Sequence, residues 1–250
     1  RRAWDYPRLA ASYGKRPPYA AAAVGGLIAI AGLGPGDLAC DVGAGNARMT
    51  LPLLERGLRV VALEPNPAMR DRGVARTRSH AGVRWVAAYG EATALADESF
   101  DLVVFGSSLN VVDRDRALPE AARILRPRGW LACLFHYRCL EDPLQARIEA
   151  ELRRQIPRYR PGVRREGQSA AIAASGLFGP VLGFAERTTQ VVAKQDWLDA
   201  WHSHATLARQ AGSALEGVVD AISRLLDAVP GERLEVPYST RVWLAQKRRG

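Results

Sequence analysis

Between residues 38 and 137, short apolar runs alternate with segments suited to helices. This alternation predicts βαβ units, whose strands form a parallel sheet. The runs are nearly continuous in apolar residues, as expected of strands that are buried on both faces. The predicted strands span residues 38–42, 59–65, 83–89, 100–106 and 129–137, and the predicted helices span residues 20–33, 47–57, 67–80 and 116–127.

After residue 137 the regular alternation of predicted strands and helices ends. The segment 138–176 is charged and contains an Arg/Pro/Gly-rich loop, so it is predicted to form a helical cap over the carboxyl ends of the strands, where ligands bind in open α/β sheets. The sequence therefore predicts an α/β fold with a doubly wound, seven-stranded, mostly parallel sheet in a single domain. Its parts are residues 1–137, the insertion 138–176, and residues 177–250, with a strand over 181–192, helices over 194–212 and 214–229, and a final strand or strand pair over 234–248.

The charge distribution argues against a nucleic-acid partner. The formal net charge is +9, but nearly all of the positive charge is arginine, and lysine occurs only at Lys15, Lys194 and Lys247. Together with the high alanine content, this is the bias of a GC-rich genome, which raises the isoelectric point without any function. The one dense basic stretch, residues 153–165, is expected to be solvated surface, with an anionic partner as the alternative.

No segment has the features of a signal peptide or of a membrane span. The longest uncharged run, residues 17–36, contains prolines and glycines and is too weakly apolar. Cys40, Cys133 and Cys139 form no CxxC pair and are expected to be reduced, and no cluster has metal-ligand spacing. We therefore expect a cytoplasmic protein without a metal or a membrane partner, and leave a homo-oligomer open.

A glycine loop, Gly43 to Gly45, follows the first predicted strand. A dinucleotide-binding loop needs a third glycine where this chain has Arg48, and a phosphate-binding P-loop needs a Gly-Lys-Ser/Thr sequence that is absent. Asp41, at the end of the strand, would repel a pyrophosphate but could hold an ammonium group. The loop is therefore predicted to hold an uncharged thioether or nucleoside rather than a phosphate.

Two more acids follow the next two strands. Glu64 ends the second strand, where a carboxylate can accept both hydroxyls of a ribose. Glu91 follows the third strand, where it could accept a proton from an adenine amino group, and the backbone near Ala92 could pair with a ring nitrogen. An acid for an ammonium, one for a ribose and one for adenine together describe S-adenosylmethionine.

The motifs around these acids resemble those of the class I S-adenosylmethionine-dependent methyltransferases. The similarity is to the small-molecule "type 11", or ubiquinone/menaquinone-biosynthesis-like, branch. The segments that carry it are SYGKRPPY, LACDVGAGNARMT, VVALEPNPAM, GEATALADESFDLVVFGSSLNVVD and EAARILRPRGWLACLF. The chain departs from the family pattern at Ala47, Glu91, Ala96 and Arg128.

The resemblance implies a Rossmann-like fold and S-adenosyl-L-methionine as the cofactor, with S-adenosyl-L-homocysteine as its product. By the same resemblance, Tyr13 and Arg16 would close over the methionine end. The residues expected at the cofactor are Tyr13, Arg16, Asp41, Gly43, Ala44, Gly45, Glu64, Pro65, Met69, Gly90, Glu91, Ala92 and Phe105.

Candidates for the acceptor site lie after the fourth and fifth strands and on a later helix. His136 is a candidate general base or acceptor-orienting group, with a structural histidine as the alternative. Asn110 is a second candidate. His204 would share a helix face with Trp197 and Trp201, which would form either an aromatic pocket or core.

These features predict methyl transfer to a small organic acceptor in secondary metabolism. The (N/D)-P-P-(Y/F/W) motif of amino-group nucleobase methyltransferases and the nucleophilic cysteine of cytosine-C5 enzymes are both missing after the fourth strand. The alternatives are a protein of this fold without methyl transfer, serving as a binding protein, a scaffold or a cyclase, and an RNA methyltransferase using residues 153–165.

Overall fold

A seven-stranded sheet forms the centre of the computed structural model, which describes residues 17–160, 166–202 and 205–248. The strand order is β3-β2-β1-β4-β5-β7-β6; β1 to β5 are parallel, and β7 is antiparallel to both β5 and β6. The strands are β1 (Leu38–Val42), β2 (Arg59–Leu63), β3 (Val83–Val86), β4 (Phe100–Gly106), β5 (Leu125–Arg138), β6 (Leu182–Ala193) and β7 (Arg233–Gln246). The predicted doubly wound, mostly parallel sheet is confirmed, and its order reverses between β1 and β4, the switch point at which ligands bind in such sheets.

Helices connect the strands and form a further layer. They are α1 (Ala21–Ala31), α2 (Thr50–Leu54), α3 (Pro67–Thr77), α4 (Arg114–Ile124), α5 (Pro143–Gln155), α6 (Ser169–Ala174), α7 (Lys194–His202), α8 (Ala205–Ala211) and α9 (Leu215–Asp227). Three of them begin at a side-chain cap, because the oxygens of Asn66, Asp113 and Asp142 accept hydrogen bonds from the free backbone N–H groups of the first turn.

Several boundaries differ from those predicted. The predicted helix over 47–57 is reduced to Thr50–Leu54, because Ala47 has a φ of 70° and belongs to a turn. β5 begins at Leu125 rather than at residue 129, with a register shift against β4, so α4 ends earlier than predicted. The C-terminal segment forms one long strand, which decides between the two predicted alternatives.

Two apolar cores cover the faces of the sheet. Along β4 and β5, Phe105 and Phe135 face one core, while Val104 and Leu134 face the other, beneath α1. This alternation explains why both strands are almost continuously apolar.

A third core joins a helical layer to the start of β7. It contains side chains of α5, α7 and α9 together with Leu234 and Val236. β7 pairs with β5 only from Tyr238 onward, opposite Arg138, so Leu234 and Val236 extend past the carboxyl end of β5. The helical layer therefore stands at the edge of the sheet where the parallel strands end. Insertion 138–176 supplies α5 to it, and the proposed division of the domain stays a prediction.

Among the residues described, no helix is long and apolar enough to cross a membrane. Within the same ranges, no group of His, Cys, Asp and Glu side chains could hold a metal ion. All three cysteines are buried.

Candidate functional site

The glycine loop after β1 packs tightly against the segment that follows β4. The N–H groups of Gly43 and Ala44 both donate to the carbonyl of Leu63, at 2.9 Å each. Gly43 has a φ of +70°, and a Cβ added there would lie 2.7 Å from Cβ of Ser108. Ser108 in turn donates from its hydroxyl to the carbonyl of Val42. The loop therefore leaves no room for a side chain at Gly43.

Asp41 is a buried carboxylate with only one of its oxygens paired. Thr50 donates to Oδ2 at 2.7 Å, while Oδ1 is buried and has no partner within the described residues. Burial raises the pKa of Asp41 to about 7, and the hydrogen bond from Thr50 opposes that rise. A cationic ligand beside Oδ1 would compensate the buried charge.

Glu64 follows β2 directly, and its carboxylate accepts hydrogen bonds from the backbone of two different segments. Its Oε2 accepts from the N–H of Gly45 at 2.9 Å, and its Oε1 accepts from the N–H of Asn66 at 2.8 Å. Burial raises the pKa of Glu64, while these two backbone hydrogen bonds hold it down. Because an ionised carboxylate has about four acceptor positions, both oxygens can still accept hydroxyl groups from a ligand.

The residues predicted at the adenine end lie around the segment after β3. Gly90 is buried, and a Cβ there would lie 2.6 Å from Cγ1 of Val42. Glu91 is half-buried and its Oε1 accepts from the N–H of Asp113 at 3.0 Å, while Ala92 is exposed. Phe105 lies fully buried in the core beneath Gly90. Glu91 is thus also tied to the start of α4, and its contact with adenine stays a prediction.

Of the remaining predicted cofactor residues, three lie in the described part of the chain and two lie outside it. Met69 is buried, with Cε 3.3 Å from the position of a Cβ on Gly45. Ala44 is buried and Pro65 is half-buried. Tyr13 and Arg16 lie outside the described residues.

The segment 17–20 is fastened to the site by contacts that the sequence did not indicate. The hydroxyl of Tyr19 lies 2.9 Å from Oγ of Ser107, which follows β4 with a φ of 60°. Arg48 donates to the carbonyl of Pro17 at 2.6 Å, and its Cζ lies 4.6 Å from the centre of the Tyr19 ring. Arg48 thus ties the segment 17–20, here called the strap, to the turn that follows the glycine loop.

His136 lies near the carboxyl end of β5 between two tyrosines. Its ring stacks on Tyr238 at 4.8 Å and meets Tyr19 edge-on at 6.0 Å. Nδ1 lies 2.7 Å from Oγ1 of Thr240, and Nε2 is buried without a partner in the described ranges. Burial, reinforced by the positive charge of Arg48, lowers the pKa of His136 to about 3. The ring is therefore neutral at physiological pH and only a weak base, and this weak basicity favours an orienting role over that of a general base.

The other acceptor-site candidates are less well placed. Asn110 lies in the loop after β4, half-buried, and its Oδ1 has no partner in the part of the chain that is described. His204 lies outside that part. Trp197 and Trp201 are buried inside the helical layer, and Cζ of Arg138 lies 4.4 Å from the Trp201 ring, so of the two predicted alternatives the structure favours core for these rings.

The basic stretch begins on α5 as an ordinary charged helix surface. Arg153 pairs with Glu149 at 3.2 Å, and Arg154 pairs with Glu151 at 2.6 Å. Residues 161–165 lie outside the described ranges. Both arginines therefore form ion pairs with glutamates of the same helix.

Comparison with known sequences identifies the same part of the chain. Residues 40–133 match the family model described as "Methyltransferase domain". The chain is 43% identical over 100 residues to an uncharacterized methyltransferase of Mycobacterium tuberculosis, covering 39% of each chain. It is 43% identical over 108 residues to the demethylmenaquinone methyltransferase of Mycobacterium sp. (strain KMS), covering 42% of this chain and 44% of the relative. The matched region thus spans less than half the length of these curated relatives.

A solved structure matches over nearly the whole chain. It is a putative type II methyltransferase from Anaeromyxobacter dehalogenans, with a TM-score of 0.60 at 22% identity, covering 93% of this chain and 97% of that one. At this identity the likeness shows the fold. Residues 40–133 are therefore similar to a methyltransferase domain, and the chain has the Rossmann-like α/β fold seen in this solved structure.

Proposed function

We propose that the protein binds S-adenosylmethionine at the carboxyl edge of the sheet and transfers its methyl group to a small organic acceptor. The observation that carries the proposal is the pair of buried acids on either side of the glycine loop. Asp41 offers an oxygen that has no partner among the described residues, and Glu64 is held to Gly45 with acceptor positions to spare.

The residues present fit this cofactor. Oδ1 of Asp41 suits the ammonium of its amino acid end, and the oxygens of Glu64 suit the two ribose hydroxyls. Gly43 and Gly45 present backbone without side chains, which would let the nucleoside and thioether approach the loop closely. Glu91 and the backbone at Ala92 are proposed to bind the adenine, against which Met69 would pack.

The chain's part in the reaction is binding and alignment. When bound, the cofactor supplies an electrophilic methyl group on a sulfonium. The glycine loop and the two acids would fix the donor, while Tyr19 bonds to Ser107 after β4 and Arg48 bonds to Pro17, which keeps the strap beside the site. Holding two reactants in line and excluding water both lower the barrier to such a transfer.

The proposed acceptor is a small organic molecule of secondary metabolism. One relative acts, by its name, on demethylmenaquinone. The helical layer stands beside the strand ends, as a cover over a small-molecule site would. Arg153 and Arg154 are paired within α5, which weakens the case for an RNA substrate on that stretch.

Calorimetric titration with S-adenosylmethionine and S-adenosylhomocysteine tests the proposal. We expect both to bind, and Glu64→Ala to weaken binding about ten- to a hundredfold, because hydrogen bonds to a charged group are lost. Glu55→Ala, which removes an exposed glutamate at the end of α2, is the matched control and should bind as the wild type does.

Glu64 also accepts two backbone hydrogen bonds, so the thermal unfolding of each variant is measured alongside. Unchanged affinity in a folded Glu64→Ala protein would remove the ribose role. Absence of binding to the wild type at millimolar ligand would refute the proposed function.

A further inference from the structure

The hydroxyl of Thr240 fixes where the proton of His136 lies. Thr240 is fully buried, and its Oγ1 already accepts from the backbone N–H of Ala20 at 2.9 Å. Its second contact is Nδ1 of His136, at 2.7 Å. Within the described residues this nitrogen is the one acceptor in reach of the hydroxyl hydrogen, and a buried hydroxyl that donates to nothing is costly.

The satisfied arrangement therefore has Thr240 donating to Nδ1. Nδ1 must then carry a lone pair, and in a neutral imidazole the proton lies on the other nitrogen. Nε2 is thus an N–H donor, and the ring has no free lone pair with which to accept a proton from a substrate. This excludes the general-base role for the neutral ring held in this way.

The donor lies where an acceptor would meet the cofactor. β4 ends at Gly106, which pairs with Leu134, and the N–H of Ser107 donates to the carbonyl of Leu134 at 2.8 Å. His136 is two residues further along β5, at the edge beside the glycine loop. Its Nε2 is buried without a partner among the residues that are described, so a ligand atom there would complete its hydrogen bonding.

The surroundings favour a negatively charged atom. Arg48 lies over Tyr19 on one side, and His136 meets the same ring edge-on. Nε of Arg48 is also buried with no partner in the described part of the chain. Two donors, one of them cationic, flank a single tyrosine, and hydrogen bonds to charged atoms are the stronger kind.

We propose that His136 is a neutral Nε2–H donor, positioned by Thr240, that binds an anionic oxygen of the methyl acceptor, a phenolate or enolate. The assignment to the acceptor rests on the proposed function. The acceptor must then arrive already deprotonated, with its proton given up to solvent, because His136 cannot take it. Methylation takes place on that oxygen or on the carbon conjugated with it.

Nitrogen-15 NMR of the histidine-labelled full chain tests the proton assignment without any cofactor. The chain has four histidines, and the signal lost in His136→Gln assigns the ring. We expect a protonated Nε2 and an unprotonated, hydrogen-bonded Nδ1, unchanged between pH 8 and 5.5. A proton on Nδ1, or titration near the ordinary histidine pKa, would overturn the proposal.

Two substitutions separate positioning by Thr240 from simple packing. Thr240→Ser keeps the hydroxyl and should leave the Nδ1 signal as in the wild type. Thr240→Val keeps the shape but should move that signal to the position of an unbonded imine nitrogen. Thr189→Val, at an exposed position of β6, is the control and should change nothing. Equal Nδ1 signals in the Ser and Val variants would overturn the role of Thr240.

The oxygen class is tested with 4-nitrophenolate as the probe and 4-nitroanisole, in which the oxygen is methylated, as its matched neutral partner. We expect the phenolate to shift the Nε2–H signal and to bind His136→Phe about ten- to a hundredfold more weakly than the wild type. The anisole should do neither. No response, or the same response to both probes, would overturn the anionic-oxygen assignment, whereas failure of the cofactor titration alone would refute only the proposed function.

Discussion

Folding and the proposed ligand favour different protonation states of Asp41: burial favours the neutral acid, and an ammonium group would favour the carboxylate. Burial raises its pKa from 3.8 to about 7. Between about pH 4 and pH 7 the folded chain therefore holds a proton that the unfolded chain has released, and the free energy of unfolding falls as the pH rises through this window. Across the whole window, the loss of unfolding free energy caused by Asp41 is at most about 4 kcal/mol. An ammonium group beside Oδ1 would favour the ionised form and recover part of this loss.

Asp41→Asn removes the titrating group and nearly preserves its shape. We expect wild-type stability, measured by urea unfolding, to fall more between pH 5 and pH 8 than that of the variant. Saturating S-adenosylhomocysteine should stabilise the wild type more at pH 8 than at pH 5, and the variant equally at both. The same pH slope in both proteins would show that Asp41 is not the buried acid responsible.

For individual residues, the sequence indicated some members of the site and not others. Asp41 and Glu64 could be placed because each ends an apolar run, and strand ends meet at one edge of a parallel sheet. Thr240 could not be placed, because its contact with His136 depends on the register of β5 against β7 over 104 residues of separation. A shift of two residues would preserve the apolar faces and change the partner, so alternation alone leaves it open.

Among the connecting elements, the glycine loop is the one most constrained by its surroundings. Gly43 and Gly32 have nearly the same positive φ, +70° and +65°, but only Gly43 faces a close neighbour. Because the backbone strain of adding a Cβ is about 1–2 kcal/mol at either position, a comparison of the two isolates the contact with Ser108.

Gly43→Ala should therefore lose more unfolding free energy than Gly32→Ala, by roughly 1–3 kcal/mol, the range for overpacking. It should also bind S-adenosylhomocysteine more weakly, while Gly32→Ala should bind as the wild type does. Denaturant unfolding and calorimetry measure the two effects. Equal losses in both variants would mean that the loop yields and does not need glycine at this contact.

Element boundaries were predictable where local signals agree with the tertiary structure. β4 has the predicted bounds because an apolar run and its flanking polar residues coincide. The shortening of α2 was not predictable, because alanine has no local preference for the positive φ that Ala47 adopts. Ala47 instead closes a turn, in which its N–H donates to the carbonyl of Ala44 at 3.0 Å.

For the whole molecule, the parallel sheet followed from the alternation of strands and helices. The antiparallel β7, inserted between β5 and β6, follows from no local pattern, and the family resemblance supplied the seven-stranded fold. The tryptophans of α7 show a similar limit. Their spacing predicted one apolar helix face correctly, but only the structure shows that α5, α9 and β7 cover it.

The central claim is that the acids at the ends of β1 and β2 hold S-adenosylmethionine at the edge of this sheet. A crystal structure of the full chain with S-adenosylhomocysteine tests it most directly. The account predicts both ribose hydroxyls within hydrogen-bond distance of Glu64 and the ammonium beside Oδ1 of Asp41, directly or through one water. Ligand density elsewhere, or a ribose that does not touch Glu64, would contradict it.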